Sequence, residues 1–137
     1  MYDFDPSEFY KALLEKITEA DTKKVAAIMT EFIGEDHHIS LKDLTARVFG
    51  EFNTNTERKV RLILEDLVTN YRFPIGAYSG KSGRWLCKNK EERDRVISDL
   101  ESRRDATSER IKSLQKAVIP ASIPQIEKNH RQNSLWQ

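Results

Sequence analysis

The chain has 137 residues, 38% hydrophobic and 33% charged, with a net charge of +1. That length suits one domain with an arm or tail to spare, and the composition suits a modest core rather than an enzyme built around a large buried pocket. No apolar run approaches the roughly 18 residues of a membrane span, the acidic start Met1-Tyr2-Asp3-Phe4-Asp5 has no signal-peptide pattern, and a single cysteine, Cys87, builds no disulfide framework, so no membrane association and a cytoplasmic location are expected.

The first helix is signalled by Asp5-Pro6-Ser7-Glu8, which reads as an N-cap, a proline at the first helical position and a glutamate three residues after the cap. Phe4 and Phe9 flank the cap as a hydrophobic staple requires, and Phe9, Leu13, Ile17 and Ala20 repeat at helical spacing, with Tyr10 and Leu14 beside them. A second helix is expected after Asp21, with Val25, Ile28, Met29, Phe32 and Ile33 inward and an end at Gly34; residues 35–38 form a polar connection. Ser40 with Asp43 predicts a capping box, and Ile39 with Leu44 a staple, for a short third helix burying Leu41, Leu44, Val48 and Phe49 and stopping at Gly50. Another capping box is expected at Thr54-Asn55-Thr56-Glu57, opening a fourth helix to about Asn70 whose Val60, Ile63, Leu64, Leu67 and Tyr71 make a single core stripe.

The pattern then changes to two short aromatic-rich segments, residues 74–78 and 84–88, joined by a turn containing Gly80 and Gly83, which predicts a β-hairpin. Asn89 caps a long last helix with Glu91 and Glu92 in its first turn. It is expected to reach Ala117 and to carry Val96, Leu100, Ile111 and Leu114. Beyond Pro120 and Pro124 the composition is that of a flexible tail.

Helix, helix, turn, helix and hairpin in that order make a winged helix-turn-helix, in which the second helix of the motif faces the major groove of DNA and the hairpin is the wing. The expected fold class is mainly α with a small β-hairpin. Its expected parts are N-terminal helices over 1–36, the winged core over 37–89, the long helix over 90–117 and the tail over 118–137. Charge follows the same division: residues 1–39 hold 4 Lys/Arg and 9 Asp/Glu, residues 40–90 hold 10 and 5, and residues 91–137 hold 9 and 8. A basic middle third points to a polyanion partner.

With Val60 at the centre of the buried stripe, Asn55, Arg58 and Leu62 point away from the core and Lys59 and Arg61 stand on the shoulders. Arginine reads guanine with two donors, and asparagine reads adenine with a donor and an acceptor. Thr54, Thr56 and the free N–H groups at the helix start suit a phosphate. Lys81 and Arg84 in the wing suit the adjacent backbone. The bland reading of the same residues is a solvated basic helix face and a solvent turn. Leu62 fits either a thymine methyl or a protein-binding surface, and Trp85 either the core under the wing or a partner.

The run Arg58-x-Val60-Arg61-x-x-Leu64-x-x-Leu67, then Pro74-Ile75, Gly83-x-Trp85-Leu86 and Glu91-Glu92, resembles winged helix-turn-helix proteins encoded by phages and prophages of Gram-positive bacteria. The likeness covers roughly residues 38–117 and includes the Arg/Ser-rich helix through Arg103, Arg104 and Ile111. It implies double-stranded DNA binding in transcription control or replication initiation. The family often has Gly-Tyr in the wing, whereas here Arg84 and Trp85 follow Gly83.

Three chemistries are set aside. Gly80-Lys81-Ser82 lacks the glycine five residues earlier, where Ile75 stands, that a phosphate loop needs. His37, His38 and Cys87 have no metal-ligand spacing, and no nucleophile, base and orienting group share a local motif. No enzyme activity, metal or cofactor is expected. The expected partners are double-stranded DNA, a second copy of the chain through Leu100, Ile111 and Leu114, and a protein held by the tail through Leu135 and Trp136, with Leu62 a further partner-binding candidate. The alternative function is a winged-helix module that captures a host or phage protein.

Overall fold

The computed structural model describes residues 5–78 and 80–120. It contains α1 (Pro6–Leu14), α2 (Ala20–Met29), β1 (Ile39–Ser40), α3 (Leu41–Phe49), α4 (Thr54–Thr69), β2 (Ile75–Gly76), β3 (Gly83–Leu86) and α5 (Lys90–Lys116). The architecture is mainly α with a small antiparallel sheet in the order β1-β3-β2. No helix among the described residues is long and apolar enough to cross a membrane. The chain divides into two compact units, Met1–Ser102 and Arg103–Gln137. In the second unit, every described residue is exposed.

In the first unit, α2, α3 and α4 enclose Val25, Met29, Leu44, Val60 and Leu67 completely, and Tyr10 and Ile17 belong to the same cluster. The N-terminal helices therefore share one core with the rest of the unit. Asp5 caps α1 as expected, accepting a 3.0 Å hydrogen bond from the Ser7 backbone N–H. Phe4 lies outside the described residues. The inward position of α1 is Tyr10, while Phe9 is 43% exposed. The cause is specific: the Tyr10 hydroxyl donates to the Cys87 carbonyl at 2.6 Å, and its ring stacks on the buried Phe73 with centroids 6.1 Å apart. A helix turned to put Phe9 inward would leave that carbonyl unpaired.

α2 stops at Met29, five residues before the expected Gly34. Phe32 and Ile33 leave the helix because β3 competes for their backbone: Leu86 N–H donates to the Phe32 carbonyl and Gly34 N–H to the Leu86 carbonyl, each at 2.8 Å. The third helix has the expected bounds and buries Leu41, Leu44 and Val48, while Phe49 is half-buried and the cap is made by the Ser40 side chain. Ser40 accepts from Asp43 N–H at 3.1 Å, and Gly50 ends the helix at φ 78°, in the left-handed region where a side chain is strained. The strand just before it, β1, was not signalled; Ile39 pairs with Arg84 and Ser40 with Gly83.

The hairpin is present but shorter than expected, with Ile75 opposite Leu86 and Gly76 opposite Trp85. Trp85 is buried with Cys87 and Val96, and its ring lies 5.2 Å from that of Tyr78. Of its two readings, the structure takes the core. Gly76 permits this, since a Cβ there would fall 2.3 Å from the Trp85 ring. Glu92 is almost fully enclosed; it accepts from Lys88 N–H at 3.2 Å while Asn89 accepts from its own N–H at 2.9 Å. Burial and the nearby Glu92 carboxylate push the Cys87 thiol up to about 11.

Candidate nucleic-acid interface

Helix α4 presents the candidate residues, and its start differs from expectation by one position. The N-cap is Asn53, whose side chain accepts from Thr56 N–H at 2.9 Å while the Thr56 hydroxyl accepts from Asn53 N–H at 3.0 Å. Asn53 wins over Thr54 because its amide oxygen closes this reciprocal pair with the residue three positions on. Thr56 is consequently buried in the cap, with its hydroxyl also directed to the Glu51 carbonyl at 3.2 Å. That occupies the side chain expected to hold a phosphate. Asn55, Arg58, Lys59 and Arg61 are exposed on the helix, and Leu62 is 56% exposed.

Lys59 and Arg61 on this face, and Arg84 beside it, are held differently. The Lys59 ammonium sits 5.8 Å above the Phe49 ring of α3. Arg61 pairs with Glu57, one turn earlier, at 3.0 Å. Arg84, from β3, donates to the Ser82 and Gly83 carbonyls at 3.0 and 3.2 Å, which fixes the orientation of its guanidinium. Arg61 and Arg84 line one cleft of about 430 Å³ between α4 and the sheet, together with Leu64, Glu65, Val68, Ile75 and Ala77. Burial lowers the Arg84 pKa, and the like charge of Arg61 lowers it further. The two guanidiniums share this cleft with the Glu65 carboxylate, and Arg61 also has Glu57 beside it; two like charges in one cleft still favour an anion seated between them.

Lys81 lies elsewhere. It lines a second, larger groove of about 860 Å³ beside α3, with His38, Asp43 and Arg47 among its neighbours. Arg47 was not among the expected site residues. Its Nη2 donates to both carboxylate oxygens of Glu31, at 3.0 and 2.9 Å, and its guanidinium lies over Phe32 at 5.7 Å. The periodicity of α3 contains the signal: with Leu44 and Val48 inward, Arg47 must face out. The structure thus joins Arg61 with Arg84 and sets Lys81 with Arg47. Leu135 and Trp136 lie outside the described residues.

Among the described residues, no three His, Cys, Asp or Glu side chains are grouped to hold a metal ion. His38 instead bonds the Glu35 carbonyl at 3.0 Å. No protein-family model, curated protein or solved structure matches this chain. A functional reading therefore rests on the geometry of its own residues.

Proposed function

We propose that the chain is a winged helix-turn-helix protein of phage or prophage type that binds specific double-stranded DNA, acting in transcription control or replication initiation. In this reading α3 and α4 form the helix-turn-helix and β2–β3 the wing. The observation that carries it is the pairing of Arg61 on α4 with Arg84 on β3 across one cleft, each like-charged to the other. A phosphate of the DNA backbone seated there relieves the repulsion and joins the recognition helix to the wing. Arg61 is well exposed, so exchanging its Glu57 partner for a phosphate costs little. Arg58 and Asn55, one turn apart and facing away from the core, reach base edges.

Selection of bound duplexes from a random pool, followed by titration with salt, tests this reading. Arg58→Ala should cost about 1–3 kcal/mol and relax preference at one base position. Arg61→Ala and Arg84→Ala should weaken binding to all sequences and flatten the dependence of affinity on salt. Equal losses from all three on selected and random duplexes would refute the division of roles. Absence of any salt-dependent duplex binding would refute the function and favour the protein-capture alternative, for which exposed Leu62 is the available anchor.

A further inference from the structure

Helix α5 carries its apolar residues in an unusual order. Ile97, Leu100, Ile111 and Leu114 are all 43% exposed or more, and every residue from 100 to 120 is exposed. Together with Arg104 and Thr107 these residues fall at 97, 100, 104, 107, 111 and 114, a strict alternation of three and four. A core-facing helix has a wider stripe, whereas this 3.5-residue repeat is the seam of a helix that packs against one other helix. The helix also needs such support. Its stretch from Arg103 to Lys116 makes local ion pairs, Arg104 with Asp105 at 3.6 Å and Lys112 with Glu109 at 3.5 Å, and a lone helical stretch of about 14 residues is marginal in water with such pairs alone.

The composition of the seam identifies the partner. Its spacing reads the same from either end, and its chemistry does too: apolar pair, polar pair, apolar pair. Laid against itself in the opposite direction, Ile97 meets the second copy's Leu114, Leu100 meets its Ile111, and Arg104 meets its Thr107. Every apolar layer then faces an apolar layer. Pairing in the same direction would instead stack Arg104 on Arg104 in the middle of the seam, a like-charge contact in a poorly solvated layer. We propose that α5 is a homodimerisation helix, pairing antiparallel with α5 of a second copy about a two-fold axis between Arg104 and Thr107. Such an interface is isologous and closes at two chains. This inference does not depend on DNA binding.

Sedimentation of the full chain across micromolar concentrations should show a monomer–dimer equilibrium. Ile111→Asp, which puts a charge in an apolar layer, should weaken it about 100-fold or more. Ser113→Asp, off the seam, should leave it unchanged, and retention of the near-ultraviolet signal of buried Trp85 shows that the first unit stays folded. Direction is read by mild oxidation of cysteine variants, since the native Cys87 is buried. Leu100→Cys chains mixed with Ile111→Cys chains should form a mixed disulfide dimer, and neither variant should cross-link alone. A monomer at all concentrations, a dimer insensitive to Ile111→Asp, or cross-linking of Leu100→Cys to itself would each overturn the proposal.

Discussion

Helices α4 and α5 are both amphipathic, and they use that property in opposite ways. In α4 the apolar residues Val60, Ile63, Leu64 and Leu67 follow a broad helical stripe, and the core of their own chain covers Val60, Leu64 and Leu67. In α5 Val96 is covered in that way, next to Trp85, while Ile97, Leu100, Ile111 and Leu114 stay exposed. The width of the stripe separates the two cases. A broad stripe lies against several elements, and here α4 packs on both α2 and α3. A narrow one lies against a single helix. Fold stability should therefore reside in α4 and its surroundings, and the stability contributed by α5 beyond Leu100 should vary with protein concentration.

The largest expected effect tests the first half of that comparison. Leu67→Ala removes a fully enclosed side chain and leaves a cavity, so it should cost about 2–5 kcal/mol in denaturant unfolding, independent of protein concentration. A loss that shrinks as the protein is concentrated would mean that α4 also depends on association. Next in size is Gly76→Ala. Its Cβ would meet the Trp85 ring at 2.3 Å, and that ring is buried, so relief requires moving the hairpin. The expected cost is about 1–3 kcal/mol, with a changed tryptophan emission reporting the displaced ring.

How much of this was legible in the sequence follows the range of the forces involved. Local signals read well: the Asp5 cap, the Ser40 cap, the Gly50 stop, the Asn89 cap and the stripe of α4 each depend on residues within a turn or two. Contacts between distant segments did not. The choice of Tyr10 over its neighbour Phe9 as the inward residue is decided by a hydrogen bond to a carbonyl 77 residues away, and the early end of α2 by pairing with Leu86. Strand β1 is two residues long and exists because β3 lies beside it. The site divides likewise. The exposed face of α4 came from periodicity, but the cleft shared by Arg61 and Arg84 and the place of Lys81 in a different groove are tertiary facts. The burial of Thr56 follows from a cap shifted by a single residue.

That shifted cap supplies a smaller test within α4. Asn53→Ala removes the acceptor for Thr56 N–H and should cost about 1 kcal/mol. Thr54→Ala should cost a few tenths at most, since Thr54 is exposed and its side chain caps nothing. The reverse order would return the cap to Thr54 and free Thr56 to face a ligand.

The smallest expected effect bears on the other half of the comparison. Leu114 is 64% exposed, so shortening it to alanine removes little area that its own chain had covered. Alanine is also the better helix former, which offsets part of any loss. At concentrations where the chain is monomeric, Leu114→Ala should therefore change unfolding stability by no more than about 0.5 kcal/mol, against the several kilocalories of Leu67→Ala. In the micromolar range the two proteins should diverge: the parent should gain helical signal and melting temperature with concentration, and the variant should gain less, because the layer of Leu114 with the second copy's Ile97 is weakened. Circular dichroism melts over a dilution series measure both quantities. If Leu114→Ala destabilises the monomer as much as a core substitution, the side chain has cover within its own chain. The contrast between the two helices would then fail.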